Sequence, residues 1–196
     1  MPELNANIAE GVTNEDAFSS CGIEDKNYMS EKETHTMEPR VNLNNPVFGE
    51  IVKAMYALEA PLRNSGLEPK LRELIKTRAS QINGCAYCLD MHTKDARAQG
   101  ETEQRLYALN AWRETPFYTD RERAALEWTE HLTLIAEKGV PDDLYARVKE
   151  HFSDEEIVKL TLAIVQINGY NRLAISVRAP AGTYQPAQAE PAAASA

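Results

Sequence analysis

Between about Arg40 and Arg178 the apolar residues recur at three- and four-residue intervals, the spacing that gathers them on one face of a helix. Val47, Phe48, Ile51, Val52, Met55, Leu58 and Leu62 form the first such run. Asn45-Pro46 supplies its cap and first-turn proline, and Gly66 its stop. A second helix is expected from Pro69 to about Ile82, with Leu71, Leu74, Ile75 and Ile82 as its apolar face. Asn83-Gly84 then signals a turn, and a third helix should run from about Cys85 to Gln99 and end at Gly100. Thr102 opens a shorter one bearing Leu106, Tyr107, Leu109 and Trp112.

Beyond Pro116, Thr119-Asp120-Arg121-Glu122 has the form of a capping box. It predicts a long helix through Leu126, Trp128, Leu132 and Ile135 to Gly139. Asp142 to Phe152 reads as a short amphipathic helix, and Ser153-Asp154-Glu155-Glu156 as a second capping box. Ile157 to Ile167 is apolar on most sides, which predicts a central helix or one at a subunit interface. No stretch alternates polar and apolar residues between turn signals, so the expected fold is all-α.

Polar ends bracket this core. Residues 1–39 carry many acids and few large apolar groups, the composition of a disordered extension. Residues 179–196, rich in Ala, Pro and Gln, read as a second flexible tail. One pattern repeats inside the helical domain: Gln81-Ile82-Asn83-Gly84 returns as Gln166-Ile167-Asn168-Gly169. Superposed, the copies predict a partial helix–turn–helix repeat in which Tyr170, Leu173 and Val177 stand where the first copy has Cys85, Cys88 and His92.

Charge and composition narrow the function. The chain has 196 residues, a net charge of −9 and 43% hydrophobic residues, enough for one well-filled domain. Excess acid disfavours a nucleic-acid backbone as partner. No apolar run is long enough for a membrane span, and the N-terminus lacks the basic-then-apolar order of a secretory signal. A cytoplasmic setting is therefore expected, where a Cys-x-x-Cys pair is more often catalytic or metal-binding than a structural staple. Cys21, in the acidic extension, reads as an unpaired thiol.

The chemistry concentrates in residues 81–92. On a helix, Cys85, Cys88 and His92 share one face. A thiol in a first helical turn meets the positive end of the dipole, which favours thiolate. That argument points to Cys85, whereas Cys88 has the better spacing to His92. Three-residue spacing permits an intrachain disulfide with little backbone movement. With Glu73 on the preceding helix, the set is the parts list of a thiol redox centre. Zinc is the competing ligand chemistry, but a fourth ligand is not evident: His35, His131 and His151 belong to other segments. Haem attachment fails because Leu89 stands where that motif needs His. Two buried packing cysteines are the bland alternative, and a histidine beside them on a mostly polar helix is hard to explain that way.

Glu73, eleven intervening residues, then Cys85-x-x-Cys88-x-x-x-His92, resembles the signature of the AhpD-like alkylhydroperoxidases within the carboxymuconolactone decarboxylase superfamily. Leu71-Arg72-Glu73-Leu74, Arg78 to Gly84, Lys94 to Arg97 and Tyr170 to Ile175 are also similar to that group. The resemblance implies an AhpD-like helical domain assembled as a homo-oligomer, and a hydroperoxide reductase without metal or cofactor. It implies Cys88 as the peroxide-attacking thiol and Cys85 as the resolving one that meets the reductant, with Glu73 and His92 relaying protons. The electron donor would be a dithiol on a lipoyl-bearing or thioredoxin-like protein. Tyr87 departs from the pattern, since family members carry a histidine just before the second cysteine. Thiol–disulfide exchange with a protein, redox sensing, and the decarboxylase chemistry of the wider superfamily are the alternatives. The last of these does not use a redox thiol pair.

Overall fold

The structure, a computed structural model, describes residues 38–186. The expectations for residues 1–37, Cys21 included, and for residues 187–196 lie outside it. Among the described residues the chain is helical, with no strand, as the periodicity requires.

The helices are α1 (Pro46–Tyr56), α2 (Glu59–Arg63), α3 (Pro69–Asn83), α4 (Ala86–Ala98), α5 (Glu103–Ala108), α6 (Asp120–Thr133), α7 (Ile135–Lys138), α8 (Asp142–Lys149) and α9 (Asp154–Val177), with a 3-10 segment Leu109–Glu114 after α5. Local chemistry sets their starts. Asn45 accepts from the Val47 N–H at 2.9 Å and Pro46 occupies the first turn of α1. Thr119 and Ser153 each form the complete reciprocal capping box at the heads of α6 and α9. Two expected helices are broken: the first into α1 and α2 around Ala57-Leu58, the long one into α6 and α7 at Leu134.

The larger correction falls on the second copy of the repeat. No turn forms there. Gln166-Ile167-Asn168-Gly169 lies inside α9, which continues unbroken to Val177. Asn168 donates to the Ile164 carbonyl at 2.9 Å, one turn back, and Gly169 lies against Met55 of α1.

α3 is the centre of the domain. Leu71 and Ile75 pack with Ala125, Trp128, Leu144, Val148, Leu160 and Ile164 of α6, α8 and α9. Leu74, on another side of α3, joins Ala96, Leu106, Leu109 and Leu126. Because Leu74 has no exposed surface, truncating it to alanine would cost about 2–5 kcal/mol. A third cluster contains Ala79, Cys85, Cys88 and Ile167. Glu130 of α6 ties the layers together. Its carboxylate takes Trp112 Nε1 at 2.9 Å, Arg113 Nη1 at 2.7 Å and Arg78 Nη2 at 2.9 Å. No helix of the described residues is long and apolar enough to cross a membrane.

Candidate active site

The site begins at a glycine. α3 ends at Gly84, whose φ of 70° is left-handed, and the Cys85 N–H returns to the Ser80 carbonyl at 3.0 Å. This closure satisfies a carbonyl that the helix end would orphan. Cys85 is at once the cap of the next helix, its Sγ accepting from the Cys88 N–H at 3.3 Å. Turn and cap thus fix both thiols with only Gly84 and Cys85 between α3 and α4. Cys85 and Cys88 are joined in a disulfide with a Cα separation of 5.4 Å, within the usual range. Each cysteine is only 1% exposed.

The tight turn folds α4 back along α3, so His92, one turn past Cys88, comes level with Glu73. His92 Nδ1 lies 2.8 Å from Glu73 Oε2, and both side chains are buried. Burial alone would raise the Glu73 carboxyl. The hydrogen bond and charge of His92, helped by Lys76 and Arg72, outweigh it and hold the group below its ordinary value. An ionised carboxylate can only accept, so Nδ1 carries the proton. In the neutral ring Nε2 is left free to take one.

Cys88, His92 and Glu73 line one cavity of about 570 Å³, together with Phe48, Val52 and Tyr56 of α1 and Tyr170 and Leu173 of α9. Cys85 is not in that wall; it lies behind Cys88. The structure therefore brings together all four residues singled out from the spacing, and gives Cys88 the cavity face. His131 and His151 do not line it.

Tyr87, at the position where the resemblance calls for histidine, also lines the cavity. Burial, then the nearby Tyr56 and Asp90, push its phenol above the ordinary value. It can donate a hydrogen bond but is no base at neutral pH. The Tyr170 hydroxyl is buried without a hydrogen-bond partner, pushed up to about 12 by burial and by Glu59 and Tyr56.

Two residues escape the sequence reading. Asp95 lies one turn beyond His92 and lines the cavity, and the Tyr184 hydroxyl donates to its Oδ1 at 2.7 Å. Burial raises the Asp95 carboxyl; the Tyr184 hydrogen bond opposes this and the Glu73 charge adds to it. Helical spacing from His92 could have flagged Asp95, but nothing local flags Tyr184. Glu73, His92 and Asp95 place donor atoms within 4.8 Å of one another, a set able to offer ligands to a divalent cation. The positive charges of Lys76 and Arg72 beside Glu73 oppose such an ion.

Fold and site together define a helical domain with a buried disulfide whose Cys88 lines a cavity beside a histidine–carboxylate pair. The profile of the "Carboxymuconolactone decarboxylase family" matches residues 48–131. The chain is 54% identical over 128 residues to the uncharacterized protein YdfG of Bacillus subtilis, covering 65% of this chain and 87% of that one. It is 47% identical to a protein of unknown function from Agrobacterium tumefaciens whose name suggests an AhpD-type antioxidant defence role. That comparison covers 75% of this chain and all of the other, with a TM-score of 0.71. An uncharacterized peroxidase-related protein from Silicibacter is 27% identical, over 69% of this chain and 73% of that one, with a TM-score of 0.61. The chain belongs to the AhpD-like carboxymuconolactone decarboxylase superfamily.

Proposed function

We propose that this protein is a thiol-dependent hydroperoxide reductase. The observation that carries the reading is the placement of Cys88 on the same cavity wall as the His92–Glu73 pair, with Cys85 bonded behind it. The likeness to peroxidase-related and antioxidant-named relatives supports it. Both sulfurs are buried, so oxidant and reductant alike must reach them through the cavity that Cys88 lines.

In the reduced protein, His92 Nε2 takes the Cys88 proton while ionised Glu73 stabilises the imidazolium. The Cys88 thiolate attacks the terminal oxygen of ROOH. The O–O bond breaks, Cys88 becomes a sulfenic acid, and the departing alkoxide receives the proton from His92. Cys85 then attacks the Cys88 sulfur and releases water. The sum is ROOH plus two thiols giving ROH, water and the Cys85–Cys88 disulfide. An external dithiol, on a lipoyl or thioredoxin-like protein, restores both thiols and leaves as its own disulfide. No metal or cofactor takes part in these steps.

A cytoplasmic homo-oligomer completes the proposal. Exposed Val47 and Ile51 on α1, and Val158, Val165 and Ile175 on α9, support association; a monomer by light scattering at micromolar concentration would overturn that part. The catalytic reading is tested with single variants under saturating reductant. Cys88→Ser should abolish turnover, and Cys85→Ser given peroxide without reductant should stop at a sulfenic acid on Cys88 that dimedone traps. Full peroxidase activity in Cys88→Ser would sink the assignment.

A further inference from the structure

Residues 179–186 follow α9 and cross the outside of α4. Arg178, at φ 54° and ψ 56°, reverses the chain at the end of α9, and the Ala179 N–H closes onto the Ala174 carbonyl at 2.9 Å. Three hydrogen bonds then fasten the segment to α4. The Gly182 N–H donates to Asp90 Oδ2 at 3.0 Å, Lys94 Nζ donates to the Tyr184 carbonyl at 2.9 Å, and the Tyr184 hydroxyl donates to Asp95 Oδ1 at 2.7 Å. Asp90 and Lys94 are themselves paired at 2.8 Å. Ala179, Pro180, Thr183 and Tyr184 thereby form one wall of the Cys88 cavity, and Phe48, Val52 and Tyr56 of α1 contribute others.

We propose that Tyr184, latched to Asp95, is a specificity-determining residue that holds this strap closed and limits Cys88 to compact reactants. The inference rests on the reading of Cys88 as the reacting thiol. Its physical basis is access. Cys88 is nearly fully buried, and the strap forms part of the wall of the cavity that it lines, so the bulkier the reactant, the more its approach depends on that wall giving way. The latch holds the wall through a side chain, so removing one hydroxyl loosens it without altering α4. Tyr184 is a positioning residue here: it lines the path and exchanges no proton with the peroxide.

The experiment compares alkylation of Cys88 in reduced protein by iodoacetamide and by bulky N-(1-pyrenyl)maleimide, with rates read peptide by peptide by mass spectrometry. Four chains are used: the full chain, Tyr184→Phe, a chain ending at Pro180, and a control ending at Pro186. Each lost hydrogen bond is worth a factor of about 2–10. The pyrenylmaleimide-to-iodoacetamide rate ratio should therefore rise about 2–10-fold in Tyr184→Phe and about tenfold or more in the chain ending at Pro180. It should stay unchanged in the control. In parallel, disulfide formation with cumene hydroperoxide relative to hydrogen peroxide should rise in the same order. An unchanged alkylation ratio in Tyr184→Phe, whatever the shorter chain does, or an equal rise for the two reagents, overturns the proposal. Alkylation needs no peroxidase chemistry, so failure of the strap and failure of the reductase reading are distinguishable.

Discussion

The Asn83 side-chain nitrogen lies 3.0 Å from the side-chain oxygen of Asn168. These two asparagines hold the same place in the two copies of Gln-Ile-Asn-Gly, so the repeated tetrapeptides meet at their equivalent residues. Asn83 also donates to Asn171 Oδ1 at 2.8 Å, and Asn171 donates to Ser80 Oγ at 3.1 Å. A polar seam thus joins α3 to α9 beneath the thiol turn. One copy is a helix end and the other a helix interior.

The paired glycines should respond oppositely to alanine. Gly84 has a φ of 70° with nothing within 4 Å of an added Cβ. Gly84→Ala therefore pays backbone strain alone, about 1 kcal/mol. Gly169 is helical, and its added Cβ meets only the flexible end of Met55, at 2.9 Å. Gly169→Ala should gain up to about 1 kcal/mol of helix propensity, reduced by the shift of that methyl. Urea unfolding of the two variants would show whether the signs differ.

Asn83→Asp should destabilise by about 2–3 kcal/mol. The carboxylate removes the two donated hydrogen bonds and sets charge against the Asn168 and Asn171 oxygens. Asn83→Ala should cost less, because it removes the donor without adding charge. Denaturation midpoints that rank the variants the other way would contradict the seam.

Glu73→Gln tests the relay. Glutamine can still accept from His92 Nδ1, so the geometry is kept while the stabilising charge is lost. Peroxide-driven disulfide formation at pH 7 should slow about 10–100-fold with little change in melting temperature. Because the Glu73 carboxyl is held below its ordinary value, it stays ionised on moderate acidification. At pH 7 the comparison therefore sets an ionised carboxylate against a neutral amide. Stopped-flow tryptophan or thiol-consumption traces at that pH would decide.

Acid stability should depend on Glu130. Burial alone would raise its carboxyl, but the hydrogen bonds of Trp112 and Arg113 and the charges of Arg78 and Arg113 bring it from 4.5 to about 2. A lowered folded-state value means that the unfolded chain binds more protons in between, so stability rises with pH there. The contribution, roughly 3 kcal/mol at most, is present above about pH 4.5 and lost as pH falls toward 2. Glu130→Gln should flatten the dependence of unfolding free energy on pH across that window, measured by guanidinium titrations.

The sequence by itself determined the all-helical class and where the main helices start, because capping boxes, first-turn prolines and the repeat of apolar residues act over a turn or two of chain. It also singled out four residues that the structure brings together. Cys85, Cys88 and His92 lie within eight residues, and Glu73 is brought level with His92 by a two-helix turn whose glycine is legible. Only the tertiary structure decided what lies far apart in the chain. Gln-Ile-Asn-Gly ends a helix at Gly84 and continues one at Gly169, since the surrounding contacts outweigh the preference of four residues. Tyr184 reaches Asp95 across 89 positions, a contact that no local pattern encodes. Which thiol faces the cavity was decided there too: turn and cap place both sulfurs, but the walls from α1, α9 and the strap leave Cys88 on the open side and Cys85 behind it.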